Sequence, residues 1–208
     1  MHEKPYWRTS EVFNEEIKIT AENEHLPYVK MAIKNIDFAL ISVDYILNTQ
    51  KIDLNIYKDE HTFYFYYIQN LLAACGNISN IFNPICYRQV RGRSVVKIER
   101  GDVLQKKCRL NVKEFPLVFQ KEARNTNMHF DERYDEYNRR IGDYNIIDEN
   151  TPYEERLEIL NTPHLRTYNK QDQVYITYDR YRKRVEYPII QLHHELIRLK
   201  SLLNSSLE

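Results

Sequence analysis

The sequence predicts a mainly α-helical fold, a four-helix bundle with a small β-hairpin before the last helix. Three observations carry this. Gly numbers only 4 and Pro only 7 in 208 residues, too few for an all-β chain broken by tight turns. Apolar residues recur at helical spacing in four long segments. One short segment late in the chain alternates with period two instead. The length suits a single domain over residues 1–208, long enough to bury a core.

The first 20 residues lack clear periodicity and read as an arm or a short helix. The first strong helix covers about 22–48, where Val29, Ile33, Ile36, Leu40, Val43 and Leu47 make one stripe. The second covers about 58–82. Lys58-Asp59-Glu60 brings acids to its N-terminus, and Asn83-Pro84 ends it. No charged residue occurs from Thr62 to Tyr87, yet Gln69, Asn70, Asn77, Asn80 and Asn83 interrupt the run. A bilayer span needs ~20 predominantly apolar residues, so a central helix buried on most sides is expected and no membrane partner.

Residues 88–109 are basic, with eight Lys and Arg against Glu99 and Asp102. Val95, Val96 and Ile98 fit a short strand or a helical turn. A third helix is expected over about 115–141, with Pro116 in its first turn and Phe119, Ala123, Phe130, Tyr134, Tyr137 and Ile141 as its stripe. Residues 143–163 form an acidic connection. The hairpin covers about 164–187, with Lys170-Gln171-Asp172 as its turn and Val174 to Tyr178 as a strand. Pro188 then opens a last helix to about 204, striped by Ile189, Leu192, Leu196, Leu199 and Leu203. None of these faces is stable exposed to water, so the helices should pack together.

Formal net charge is zero. A chain built only to coat nucleic acid is usually basic overall, so any polyanion site must be local. Cys75, Cys86 and Cys108 show no zinc spacing and read as reduced thiols of a cytoplasmic protein. The first ten residues hold no apolar core, so no signal peptide is expected. Tyr is abundant at 17, which suits rings at element edges or an interface.

The third predicted helix carries Arg124-Asn125-Thr126-Asn127-Met128-His129. Residues five apart on a helix sit ~140° from each other. Arg124 and His129 would therefore flank the face that points away from the core, with Lys121, Asn125, Met128, Glu132 and Glu136 on that outward face. One such helix cannot easily bring Arg124 and His129 to one phosphate, whereas two facing each other across a twofold axis can.

This run resembles the signature of the HEPN superfamily, in which Arg and a polar residue are followed a few positions later by His; the match is Arg124, Asn125 and His129. Arg followed by His at this spacing is weak alone; Asn directly after Arg sharpens it. The resemblance implies a helical bundle, a homodimer through the motif helix, and metal-independent RNA cleavage at a composite site. It also implies a toxin–antitoxin or antiphage setting, with a separate antitoxin or other partner protein. His129 would be the acid–base group, since imidazole titrates near neutral pH. Arg124 would hold the transferring phosphate with its planar fork, and Asn125 would orient the imidazole or a phosphate oxygen.

Other readings stay open beside this one. Arg124 and His129 also fit a polar surface patch or a dimer seam, with Asp131, Glu132 and Asp135 close by to repel a polyanion. The chain then serves as a non-catalytic dimerisation or binding module, and a third reading is an enzyme acting on a small nucleotide. Arg88, Arg91, Arg93 and Lys97 could hold RNA phosphates, or form a solvated loop facing the acidic 148–158 segment. Tyr168, Tyr175, Tyr178 and Tyr181 among basic residues could stack bases; tyrosines packed on the bundle explain them better. Adjacent His193 and His194 point ~100° apart on a helix and do not chelate together. No Gly-rich phosphate loop, zinc helix or Cys pair is present, so neither a metal nor a cofactor is expected.

Overall fold

The structure, a computed structural model, describes residues 25–48, 60–84, 100–122, 124–125, 166–179, 181 and 183–207. Among them it is mainly helical, with one small sheet. The order is α1 (His25–Leu47), α2 (Glu60–Phe82), α3 (Arg100–Lys107), a 3-10 turn (Val112–Glu114), β1 (Arg166–Asn169), β2 (Val174–Tyr178), β3 (Arg184–Pro188) and α4 (Ile189–Ser205).

α1 forms where its stripe predicts, but the buried row is shifted. Val29, Ala32, Ile36, Ala39, Val43 and Ile46 are buried, whereas Ile33, Leu40 and Leu47 are half-buried. Alanines at 32 and 39 bring the α1 backbone close to α2, its main neighbour. Asn77 Nδ2 donates to Asn35 Oδ1 at 3.0 Å across that contact, and Asn35 Nδ2 donates to the Met31 carbonyl at 2.8 Å. The buried amide of Asn35 is thereby satisfied, as burial requires.

α2 is buried on most of its circumference, through Phe63, Tyr64, Phe65, Ile68, Leu71, Leu72, Cys75, Ile78 and Phe82. Thr62, Tyr66, Gln69, Asn70, Ala73 and Asn77 make up its exposed strip. α4 packs on α1 with its five predicted residues, Ile189, Leu192, Leu196, Leu199 and Leu203, fully buried. None of the described helices is long and apolar enough to cross a membrane.

The hairpin is larger than its sequence suggests. Three antiparallel strands lie in the order β1-β2-β3. The predicted turn is present: Asn169 Oδ1 accepts from the N–H groups of Gln171 and Asp172 at 3.0 and 3.1 Å, an Asx turn that mimics a backbone turn. β3 was not expected, because only Val185 and Tyr187 alternate with Arg184 and Glu186 there. Pro188 ends β3 and caps α4 at once. Tyr168, Tyr175 and Tyr187 stand in register across the three strands and are all buried. Tyr168 and Tyr175 meet Tyr64 and Phe65 of α2 at ring-centroid distances of 5.0 and 6.4 Å. These tyrosines are core, whereas Tyr181 is exposed.

The segment expected to open a third long helix at about 115 is not helical at its start. Residues 112–114 form the 3-10 turn, 116–119 form a turn, and helical backbone appears only at 122, 124 and 125. The Asn125 N–H donates to the Lys121 carbonyl at 2.8 Å, an α-helical bond. Pro116 does not open a helix, because Phe115 before it sits at φ −128 and ψ 57 and the next N–H groups have tertiary partners. Leu117 and Val118 both donate to Glu195 Oε2, at 3.0 and 3.1 Å. Tyr187 OH donates to the Leu117 carbonyl at 2.8 Å. Phe119 is buried, as its place in the predicted stripe requires, but it enters the core from this turn. The remainder of the expected helix, to 141, lies outside the described residues.

Val95, Val96 and Ile98, for which a short strand and a helical turn both stood open, lie outside the described residues; later in the same basic run, Arg100–Lys107 forms α3. Cys75 and Cys108 are free and buried, and burial pushes the Cys75 thiol up to about 12. Cys86 lies outside the described residues.

Candidate functional site at the end of α2

The last turn of any α-helix leaves carbonyl groups without intrahelical partners. At the end of α2 these are taken by side chains from two later segments. Arg100 Nη2 donates to the Asn80 carbonyl at 3.1 Å, Gln105 Nε2 to that of Phe82 at 2.6 Å, and Lys121 Nζ to that of Asn83 at 3.4 Å. Arg124 Nη1 donates to the Asn80 side-chain oxygen at 3.2 Å. Three cations therefore converge on Asn80–Asn83, where the helix dipole favours positive charge.

Two glycines permit the approach. A Cβ at Gly76 would stand 2.6 Å from Arg124 Nε and closer still to Arg124 Cδ. A Cβ at Gly101 would stand 2.7 Å from the Phe82 carbonyl oxygen and from Pro84 Cδ. The first glycine lets the Arg124 side chain lie flat on α2, and the second lets the start of α3 abut the end of α2. Arg100 also lies over the Tyr28 ring, 4.7 Å from its centroid, and its Nε is buried without a partner.

Among the described residues, no carboxylate is paired with this site, and none of Arg100, Lys121 and Arg124 forms an ion pair. Their hydrogen bonds go to neutral amide and carbonyl oxygens, which leave the positive charge in place. Such a group can receive a phosphate oxygen, and the guanidinium fork matches it geometrically.

The predicted motif is partly visible. Asn125 is exposed, as its outward position requires. Arg124, expected to flank that face, is half-buried against Gly76 and Asn80 of α2. Adjacent helical residues diverge by ~100°, and Arg124 lies on the side turned to α2. His129 lies outside the described residues, as do Arg88, Arg91, Arg93 and Lys97. From the same basic run the structure describes Arg100, which meets Arg124 through Asn80, and Lys106, Lys107 and Arg109, all exposed.

Sequence reasoning missed Gly76 and Asn80 as the surface that receives Arg124, and Glu195 and Tyr187 as the anchor of the turn before it. Glu195 left a signal, an acid directly before Leu196 in an apolar stripe. Burial raises its pKa, while the two turn N–H groups and the Arg198 charge oppose the rise. His193 is half-buried and His194 exposed. Among the described residues no group of three or more His, Cys, Asp and Glu is placed to hold a metal ion.

The fold and site thus define a mainly helical domain with a cation cluster on a helix end. No family model, no curated protein and no solved structure matches the chain.

Proposed function

We propose that this chain is a HEPN-type, metal-independent ribonuclease or ribonuclease-like protein. It acts as a cytoplasmic homodimer with the motif helix at the seam, in a toxin–antitoxin or antiphage setting alongside a separate partner protein. One observation carries the reading furthest. Arg124 of the motif and Arg100 of the basic run converge on Asn80, with no carboxylate paired to either among the described residues. An RNA phosphate needs such a field, and the zero net charge of the chain does not otherwise supply it. In this reading Arg124 holds the phosphate and Asn125 orients it or the imidazole. His129 takes the proton of the 2′-hydroxyl as its oxygen attacks phosphorus, the P–O5′ bond breaks, and the leaving 5′-oxygen takes up a proton, which gives a cyclic 2′,3′-phosphate end and a 5′-hydroxyl end. Arg88, Arg91, Arg93 and Lys97 extend the phosphate path.

The non-catalytic module is favoured by a different observation, that Arg124 is already bonded to Asn80 and laid along Gly76. Cleavage of a mixed RNA by the EDTA-treated protein separates the two. The ribonuclease reading expects cutting by wild type and at least ~100-fold loss in both Arg124→Ala and His129→Ala, with the fold intact. Equal cutting by the variants, or none by wild type, leaves the module.

A further inference from the structure

α1 carries a second stripe besides its buried one. Met31, Lys34, Phe38, Ile41 and Tyr45 are spaced 3, 4, 3 and 4 and fall within an arc of about 80° at ~100° per residue. All five are exposed. Tyr66 of α2 adjoins them, and Phe38, Ile41, Tyr45, Tyr66 and the amides of Asn70 and Asn77 line one groove between the two helices. Met31, Phe38, Ile41, Tyr45 and Tyr66 are each between 38% and 54% exposed. No charged residue of α2 borders the groove, and the stripe holds only Lys34, whose Nζ lies 5.8 Å from the Phe38 ring centroid. Aromatic residues and Met without charges are the composition of an interface centre, not of a solvated face.

We propose that two copies of this chain associate through this face, with α1 packed antiparallel on α1 of the second copy about a twofold axis near Phe38. Two arguments select a second copy. The first is area: half of five large side chains is on the order of 450 Å² per copy, which matches the apolar core of a standard interface of about 800 Å² per partner.

The second is charge. In an antiparallel pair centred on Phe38, Met31 faces Tyr45 of the second copy and Lys34 faces Ser42, so the two Lys34 side chains do not meet. Antiparallel packing also brings like flanks together. Lys30, Lys34, Asp37 and Asp44 lie on one flank of the stripe; Asp37 is paired with Lys200 at 2.6 Å, and this register sets Asp44 of one copy between Lys30 and Lys34 of the other. Asp44 Oδ1 already accepts from Asn48 at 2.6 Å, which leaves its second oxygen for the lysines. The interface is isologous and closes on itself. It does not rest on the ribonuclease reading, which places the motif helix at a seam.

The test is the mass of the full chain in solution, by sedimentation and light scattering. A mass of at least a dimer is expected, which Phe38→Glu and Ile41→Glu each halve with unchanged helical circular dichroism, to a monomer or, where the motif-helix seam also forms, to a dimer held by that seam. Phe38→Cys, in a Cys86→Ser background, should give an oxidised dimer on a non-reducing gel, because Cys75 and Cys108 are buried. Lys34→Glu should weaken the dimer several-fold, and Asp44→Lys in the same chain should restore it. A monomer at every concentration overturns the proposal. So does a dimer that survives Phe38→Glu and fails to cross-link through position 38, whether or not Arg124→Ala dissociates it. RNA cleavage is scored separately, so either proposal can fail alone.

Discussion

The two ends of α2 are held by different chemistry. Its first half is clamped by rings: Phe63 and Tyr64 pack edge to face at 5.5 Å, and Tyr168 and Tyr175 lie over Tyr64 and Phe65. Cations there sit on ring faces, Arg166 over Phe65 at 4.9 Å and Lys170 over Tyr64 at 5.6 Å. Its last turn is held by cations that reach backbone carbonyls and one amide. The first end hides its polar atoms and buries area, which makes it a stability element. The second leaves its cations without a paired carboxylate among the described residues, which makes it the place to look for function.

That contrast can be broken at either end. Tyr168→Ala removes a fully buried ring and should cost ~3–5 kcal/mol of unfolding free energy, read by denaturant melts, with no selective effect on phosphate binding. Glu195→Ala comes next. It leaves the buried N–H groups of Leu117 and Val118 without an acceptor, at ~2–4 kcal/mol, and should loosen the turn that leads to Arg124. Hydrogen exchange at the Asn125 amide would report the loosening, and unchanged protection there would break the link between anchor and site.

Gly101→Ala should cost ~1–3 kcal/mol, since its Cβ meets backbone and not a flexible side chain. Gly76→Ala should cost less, because Arg124 can swing away, but it should weaken RNA binding as much as Arg124→Ala does if Arg124 acts from its seat on α2. The smallest effect concerns pH. Burial raises the folded pKa of Glu195 above its unfolded value, so the folded state binds the proton more tightly. Stability should be highest below the unfolded pKa and fall as pH rises through the folded one. Glu195→Gln, which keeps an acceptor oxygen, should flatten that slope; an unchanged slope assigns the dependence to another group.

The ring-clamped end was legible in the sequence and the cation-held end was not. Period-two alternation in Val174–Tyr178 announces a strand, and the Asn169–Asp172 stretch announces its turn, because both are local properties of neighbouring residues. β3 escaped because its two inward residues are too few to show a period. Arg124 and Asn125 were legible as a motif, but the seat of Arg124 was not. It depends on Gly76 and Asn80, more than forty residues earlier, and no local pattern couples them. Pro116 looked like a helix start, and the turn there is instead fixed by Glu195 and Tyr187, some seventy residues later.

The sequence by itself determined that α1, α2 and α4 exist, where they end, and that α4 buries Ile189, Leu192, Leu196, Leu199 and Leu203, because helical periodicity and breakers act within a few residues. Only the tertiary structure decided which of the two apolar stripes of α1 is buried, which side of its helix Arg124 occupies, and that Arg100, Lys121 and Arg124 meet on one helix end. Those outcomes depend on which distant surface competes best for each face, and packing free energy, unlike backbone propensity, belongs to pairs of segments and not to either one alone.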